Sequence, residues 1–289
     1  MTSSQDQTGL RQWAARAVQW NPARNAIKYG VVGFAHARGR LYRWTGKVPE
    51  IANIITACSP KAGSQWMKAL MDHPVVRAHT GLFTLPELEF KPYLKRPFPA
   101  GTYVPGFGWS YEDYVRMPKP LPHRLIYMFR DPRDMIVSGY YSAIKTHRKL
   151  NSQELEGYRE KLRSMSFDEA LLDLIAASGP YLLSAASWAN ADDEAVAKFH
   201  LEDVAANPRE HVIRMLAHCG VELSDNELGI VLGDVSRDSL QAKDLAQRKD
   251  GESHYRVDQK TFRDVFKPEH YEAMDSVAPG LLAQMGYAD

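Results

Sequence analysis

The chain has 289 residues, a formal net charge of +1 and 44% hydrophobic content, which suits one sizeable globular core and excludes a disordered chain. No stretch of 18 or more apolar residues occurs, and no basic n-region with an apolar h-region opens the chain. Neither membrane spanning nor secretion is therefore indicated, and a cytoplasmic location is the default expectation. Cys58 and Cys219 are the only cysteines and no HExxH motif occurs, so neither a disulfide framework nor a metal site is expected.

The charge is unevenly spread. Residues 1–47 carry eight Lys and Arg against the single acid Asp6, a net +7 that leaves −6 for the rest. Leu10, Trp13, Ala14, Ala17 and Val18 form one stripe at helical spacing, with Arg11 and Arg16 off it, and a second apolar stretch covers Ala26 to Ala35. Residues 1–48 thus read as a basic amphipathic helical segment. Such a stripe ordinarily packs on its own domain or on a partner subunit, while its charge and tryptophan also suit an anionic membrane surface. The partners considered for residues 9–47 are a second copy in a homodimer and a peripheral membrane contact; no nucleic-acid partner is expected.

Residues 49–289 read as one core domain. Ile54 to Cys58 form a short buried strand, followed by the turn SPKAGSQW and a helix through Trp66, Met67, Leu70 and Met71 that stops at His73-Pro74. Residues 81–122, rich in Pro, Gly and aromatics, show no sustained period and read as a long irregular insertion. A second strand, Leu125 to Phe129, leads into RDPRD, where Asp131 suits the N-cap, Pro132 the first helical position and Asp134 the first turn. Helical patterns fill 153–178 and 180–191, a third strand covers Val196 to Leu201, and Pro208 to Cys219 is a helix ended by Gly220. Strands alternating with helices imply an α/β fold, a mostly parallel sheet with helices on both faces.

In such a sheet ligands bind beyond the carboxyl ends of the strands. Backbone amides from Ala62 to Trp66 at a helix start, a close-approach Gly63, the Ser64 hydroxyl and the Lys61 charge make a phosphate or sulfate cradle. It is not a Walker A loop, because Lys61 precedes Gly63 instead of following a second glycine, which disfavours a P-loop nucleotide kinase.

Taken in order, SPKAGSQW and RDPRD with Ser138 resemble the two nucleotide-binding signatures of the sulfotransferases that use 3′-phosphoadenosine 5′-phosphosulfate (PAPS) and release 3′-phosphoadenosine 5′-phosphate (PAP). FHLEDVAANPREHVIRMLAHCGVELSDNEL is similar to a downstream strand and helix of that family, with Leu201 where a tyrosine is usual, and HYRVDQKTFRDVF is similar to a shortened late segment. The resemblance covers about residues 51–270. It implies the P-loop-like sulfotransferase fold and metal-independent in-line transfer of a sulfuryl group to a hydroxyl of a small molecule, glycan or lipid.

Residue by residue, the resemblance implies that Lys61 contacts the oxygen bridging phosphate and sulfate. Ala62, Gly63, Ser64, Gln65 and Trp66 would hold the 5′-phosphosulfate, with Ala62 and Gln65 standing in for the family's Ser and Thr. Arg130 and Ser138 would bind the 3′-phosphate with Arg256, for which Arg248 and Lys249 are rivals, and Ser236 would approach the nucleotide. The histidine-bearing stretch of the cytosolic branch is missing, so the general base is sought among His79, Glu87, Glu89 and His123, with His79 first for its position after the first helix and its pKa. His147 reads as a helix C-terminal cap. Phe83, Tyr93, Phe98, Tyr103, Phe107, Trp109, Tyr111 and Tyr114 are expected to wall the acceptor site. A chain that binds PAPS or PAP without turnover, as a pseudoenzyme or scaffold, is the alternative.

Overall fold

The computed structural model describes residues 22–86, 91–146, 153–247 and 260–287. Five parallel strands form one sheet in the order β2-β3-β1-β4-β5: β1 (Asn53–Cys58), β2 (Phe83–Thr84), β3 (Thr102–Phe107), β4 (His123–Phe129) and β5 (Val196–His200). β1 lies at the centre, and its near-continuous burial is what a strand covered on both faces requires. The alternation along it divides the core. Ile55 and Ala57 point to one face with Val104, Leu125, Tyr127 and Phe129, while Ile54 points to the other with Tyr103, Ile126 and Met128.

The second of these faces is covered by α2 (Ser64–Met71), α3 (Pro74–Thr80), α9 (Pro208–His218) and α10 (Asp225–Asp234), through Met67, Leu70, Val76, Met215 and Val231. The first is covered by α5 (Pro132–Tyr141), α7 (Phe167–Ala189), α13 (Pro268–Val277) and α14 (Leu281–Gln284). By length and composition α7 could cross a bilayer, but here it is a packing helix that puts Leu171, Ile175, Leu182, Ala185 and Trp188 into the core. It begins at a capping box of Ser166 and Glu169 and runs unbroken through Pro180, so the expected interruption at residue 179 is absent. A proline inside a helix deletes one backbone bond, and the buried face on both sides of Pro180 holds the helix together. The expected helix from residue 153 stops at α6 (Gln153–Ser164) instead.

The segment 81–122 is not the irregular insertion expected. It contributes two of the five strands, a 3₁₀ turn (Lys91–Leu94) and α4 (Tyr111–Arg116). β3 escapes the period test because Pro105-Gly106 sit inside it. Ile55 pairs with Val104 and Ala57 with Phe107, two steps on β1 against three on β3, so the extra residue is a bulge with Gly106 at φ 68°. The proline's missing donor and the glycine's positive φ are both accommodated there.

Five of the eight aromatics expected to wall the acceptor site are core, while Phe83, Trp109 and Tyr111 are half-buried against it. Tyr93, Phe98, Tyr103, Phe107 and Tyr114 are buried. Tyr93 stacks on Phe98 at 4.4 Å, and Phe107, Tyr111 and Tyr114 surround Trp188 at centroid separations of 6.2, 5.4 and 5.4 Å. A sheet face of this size needs large apolar side chains to fill the space under α7.

The smaller elements complete the chain: α1 (Pro22–Thr45) ahead of the sheet, α8 (Leu201–Ala206) after β5, α11 (Arg237–Gln247) and α12 (Phe262–Val265).

Candidate active site

The turn between β1 and α2 is built by backbone conformation that few residues adopt. Lys61 has φ 63°, the one non-glycine residue with positive φ among those described, and Gly63 has φ 82° as the N-cap of α2. A Cβ at Gly63 would stand 3.2 Å from the Leu201 side chain, so glycine meets both the torsion and the crowding. The turn closes on itself through the Ala62 N–H, which donates to the Ser59 carbonyl at 3.1 Å, while the Ser59 N–H donates to Met128 O at 3.0 Å on β4. Among the described residues, the amides of Gly63, Ser64, Gln65 and Trp66 meet no acceptor, which leaves a row of donors at a helix start, the arrangement that binds an anion.

Ala62 differs from expectation. Its amide is used inside the turn and its methyl is fully buried with Met67 and Leu70, so it floors the cradle instead of touching a ligand. Gln65 is exposed, and Trp66 is half-buried against the α2 face of the core. Behind the turn, burial pushes the Cys58 thiol up to about 12, with the Ser64 hydroxyl bonded to it acting the other way. Cys58 is accordingly an inert thiol at neutral pH.

The second turn, between β4 and α5, lies beside the first because β4 pairs with β1 up to Met128 and Cys58. Arg130 Nη1 donates to the Lys61 carbonyl at 2.9 Å, tying the two turns together. The other arginine of RDPRD has a different task. Arg133 is buried and forms a bidentate pair with Asp131, Nε to Oδ1 at 3.0 Å and Nη2 to Oδ2 at 2.8 Å, with its guanidinium 4.0 Å from the centre of the Phe262 ring. Asp131 also accepts the Arg133 amide as N-cap of α5, and Asp134 accepts the Phe262 amide at 2.8 Å. The motif is therefore a capping clasp that leaves Arg130 at the cradle.

Two groups that the sequence reading did not single out complete the site. Lys61 Nζ donates to Ser142 Oγ at 2.9 Å, at the point where α5 passes into a π-helical turn (Ser142–Thr146). Ser138 is one turn earlier, so the two buried hydroxyls share one side of the helix. Glu202, the second residue of α8, accepts the Asp131 amide at 3.0 Å and the Tyr287 hydroxyl at 2.9 Å, and burial together with Glu202 raises the pKa of that phenol. It locks the RDPRD turn to the end of β5. An i+4 serine after Ser138 was the visible signal for Ser142, and Glu202 lies in the FHLEDV stretch that resembles the family.

Of the remaining expected residues, the two histidines are placed apart. His79, in the last turn of α3, bonds Glu227 on α10 at 3.0 Å, and the following Gly81 accepts from Arg38 beside Gly101, before the start of β3. That is the amino edge of the sheet, opposite the cradle. His123 is the first residue of β4, also at the amino edge; it bonds the Tyr114 hydroxyl at 2.8 Å, and burial lowers its pKa. Neither histidine is brought to Lys61, because α2 carries the chain back along β1 before α3 begins. Ser236 caps α11, donating to Gly233 O at 2.8 Å and accepting the Ser239 amide at 3.3 Å, and among the described residues no hydrogen bond joins it to the cradle. Glu87, Glu89, His147, Arg248, Lys249 and Arg256 lie outside the described residues. No cluster of metal-ligating side chains occurs among the described residues.

A family model described as Sulfotransferase domain matches residues 52–286. The chain belongs to that family, the PAPS-dependent sulfotransferases. Among solved structures it is similar to mouse sulfotransferase SULT7A1 complexed with PAP, with a TM-score of 0.55 and 16% identity over 80% of this chain and 84% of that one. It is also similar to retinol dehydratase in complex with androsterone and inactive cofactor PAP, with a TM-score of 0.52 and 14% identity over 82% of each chain. A search among curated proteins finds no significant match.

Proposed function

We propose that this enzyme transfers the sulfuryl group of PAPS to a hydroxyl of a small molecule, glycan or lipid, and that the cradle described above is where it does so. The observation that carries the reading is the Lys61 ammonium, held by Ser142 beside the unpaired amides of Gly63 to Trp66, with Arg130 bonded to the same turn. Bound PAPS supplies the transferable group and a phosphate leaving group. The amides of Gly63, Ser64, Gln65 and Trp66 bind the 5′-phosphosulfate. Arg130 and Ser138 bind the 3′-phosphate, with Arg256 from the late segment and Ser236 toward the nucleotide.

Lys61 stabilises the negative charge that develops on the leaving oxygen, an electrostatic role that needs no covalent protein intermediate. Ser142 holds the ammonium in the ground state and releases it as that charge grows. On the acceptor side, Tyr140 and Tyr141, which immediately precede Ser142 and pack on Phe167 at 4.8 and 6.2 Å, replace the aromatics now found in the core. Retinol dehydratase, similar in fold, is seen in complex with androsterone; we extend to this chain only the acceptor class, a hydroxyl.

For the general base we assign Glu87. Glu87 and Glu89 are the carboxylates among the four candidates, and the cradle lies at the carboxyl edge of the sheet. The two histidines start from the opposite edge. Glu87→Gln should lower transfer about 100-fold and remove the acidic limb of the pH–rate profile, whereas His79→Ala should leave both rate and profile unchanged. A His79→Ala enzyme with a shifted profile would restore that residue to the site.

The binding reading is tested by isothermal titration with PAP. Arg130→Ala should weaken PAP affinity by roughly 10- to 100-fold, the worth of one hydrogen-bonded charge pair, and lower Tm by only a few degrees through the lost bond to the Lys61 carbonyl. Wild-type protein that takes up no PAP would overturn the whole assignment. PAP binding without any PAPS consumption would point instead to a nucleotide-binding scaffold.

A further inference from the structure

We infer that α1 is a docking surface for an anionic membrane. Ile27, Gly30, Phe34, Ala37, Leu41 and Trp44 follow one another at steps of three and four, so they share one stripe roughly 26 Å long. Most of the stripe faces out, with Phe34 meeting Phe83 edge-on at 5.4 Å. Ile27 is 70% exposed, Phe34 58%, Leu41 53% and Trp44 84%, while the opposite side of the helix packs on the domain through Ala35, Gly39 against Ala100, and Arg38 bonded to the Gly81 and Gly101 carbonyls. The described residues of the domain thus cover one side of α1 and leave most of its apolar side exposed.

Charge selects the occupant. α1 contains Arg24, Lys28, Arg38, Arg40 and Arg43 and no acidic residue, and Lys47 follows it; Arg40, Arg43 and Lys47 are exposed. Pairing this stripe with its own copy would bring Arg40 and Arg43 of two helices together with no carboxylate on either to answer them. A plane of anionic lipid headgroups answers all of them, each Lys or Arg near the surface contributing about fivefold in affinity. Exposed Tyr29 and Trp44 suit the headgroup level. Beside Phe34 an open groove of about 540 Å³, lined also by Leu82 and Phe83, has the exposed Arg77 at its edge, so the basic apolar surface extends from α1 onto α3.

The geometry leaves the active site accessible. α1 sits against Gly81 and Gly101, which precede β2 and β3, so it covers the amino edge of the sheet while the cradle opens at the carboxyl edge. A bilayer under α1 and α3 does not cover Lys61. This inference does not depend on the sulfotransferase assignment.

The test is co-sedimentation of the full chain with vesicles of phosphatidylcholine alone or with 30% phosphatidylserine (about 0.1 M salt). Binding at least tenfold tighter to the anionic vesicles and falling at about 0.5 M salt is expected. The double variant Leu41→Ser/Trp44→Ser should lose at least tenfold of that affinity, while its PAP affinity and Tm stay at wild-type values, since both side chains face out. Equal binding to both vesicle types, no binding to either, or an unaffected double variant would overturn the proposal. So would a dimer in sedimentation velocity that the double variant abolishes, which would assign the stripe to a second copy.

Discussion

Lys61→Ala should lower the rate of sulfuryl transfer by about 100- to 1000-fold while changing PAP affinity by less than about threefold. The range is that of removing one donor aimed at a developing oxyanion. The split follows from where the charge acts. Lys61 Nζ is already satisfied by Ser142 in the resting protein, and the 5′-phosphate of PAP is held by the α2 amides, so truncation costs little in the product complex. The need for the ammonium arises as negative charge grows on the leaving oxygen. PAPS consumption measured under single turnover, together with calorimetric PAP titration, reads the two effects separately. Equal losses in both would make Lys61 a binding residue, and an unchanged rate would remove it from the chemistry. Substitution also tests the turn: Lys61 sits at φ 63°, so Lys61→Gly, which relieves that torsion, should lose as much rate as Lys61→Ala with a folded state at least as stable.

Trp188→Ala should destabilise the fold by about 3–5 kcal/mol, the usual cost of emptying a large aromatic site in a packed core. For a chain of this size that corresponds to a Tm lower by about 6–10 °C. Trp188 is fully buried, stacks on Tyr127 of β4 at 4.8 Å, meets Phe107 at the end of β3, and donates its indole N–H to the Trp109 carbonyl at 2.8 Å. One side chain therefore bridges α7, β3, β4 and the turn after β3. Trp188→Phe separates the parts. It keeps most of the packing and leaves the Trp109 carbonyl without its donor, and about 1–3 kcal/mol is expected. Differential scanning calorimetry of the three proteins checks the order; a Phe variant as unstable as the Ala variant would show that the hydrogen bond, not the packing, dominates.

The two predictions differ in how early they could have been made. Lys61 and Gly63 announce themselves in eight consecutive residues, because an anion cradle at a helix start is a local object: a strand ends, a glycine supplies a positive φ, and the first turn of a helix leaves its amides unpaired. RDPRD is local in the same way, with Asp131, Pro132 and Arg133 capping and bracing α5 from within the motif. Trp188 carried no such mark. Its partners are contributed by β3, β4 and α4, tens of residues away, and only their packing makes it a keystone.

The same distinction accounts for what the sequence left open. β3 was hidden because Pro105-Gly106 break the strand period, and only pairing with β1 reveals that the break is a bulge. The aromatics of residues 81–122 suit an acceptor wall equally well as a core, and burial assigns Tyr93, Phe98, Tyr103, Phe107 and Tyr114 to the core. His79 and His123 have side chains fit for proton transfer, but whether a residue starts at the amino or the carboxyl edge of a parallel sheet depends on the direction in which the preceding helix returns. Ser142 and Glu202 gained their importance through bonds to Lys61 and Asp131 that span 81 and 71 residues.

By itself the sequence determined the α/β class, the central strand, both turns of the cradle, and the basic, acid-free character of the N-terminal segment, since torsion, capping and charge are properties of neighbours along the chain. Only the tertiary structure decided which aromatics are buried, which ionisable groups share an edge with Lys61, what holds the two turns together, and that most of the apolar stripe of α1 faces outward. Those are relations between segments, and a chain acquires them only when its strands have paired and its helices have chosen a face.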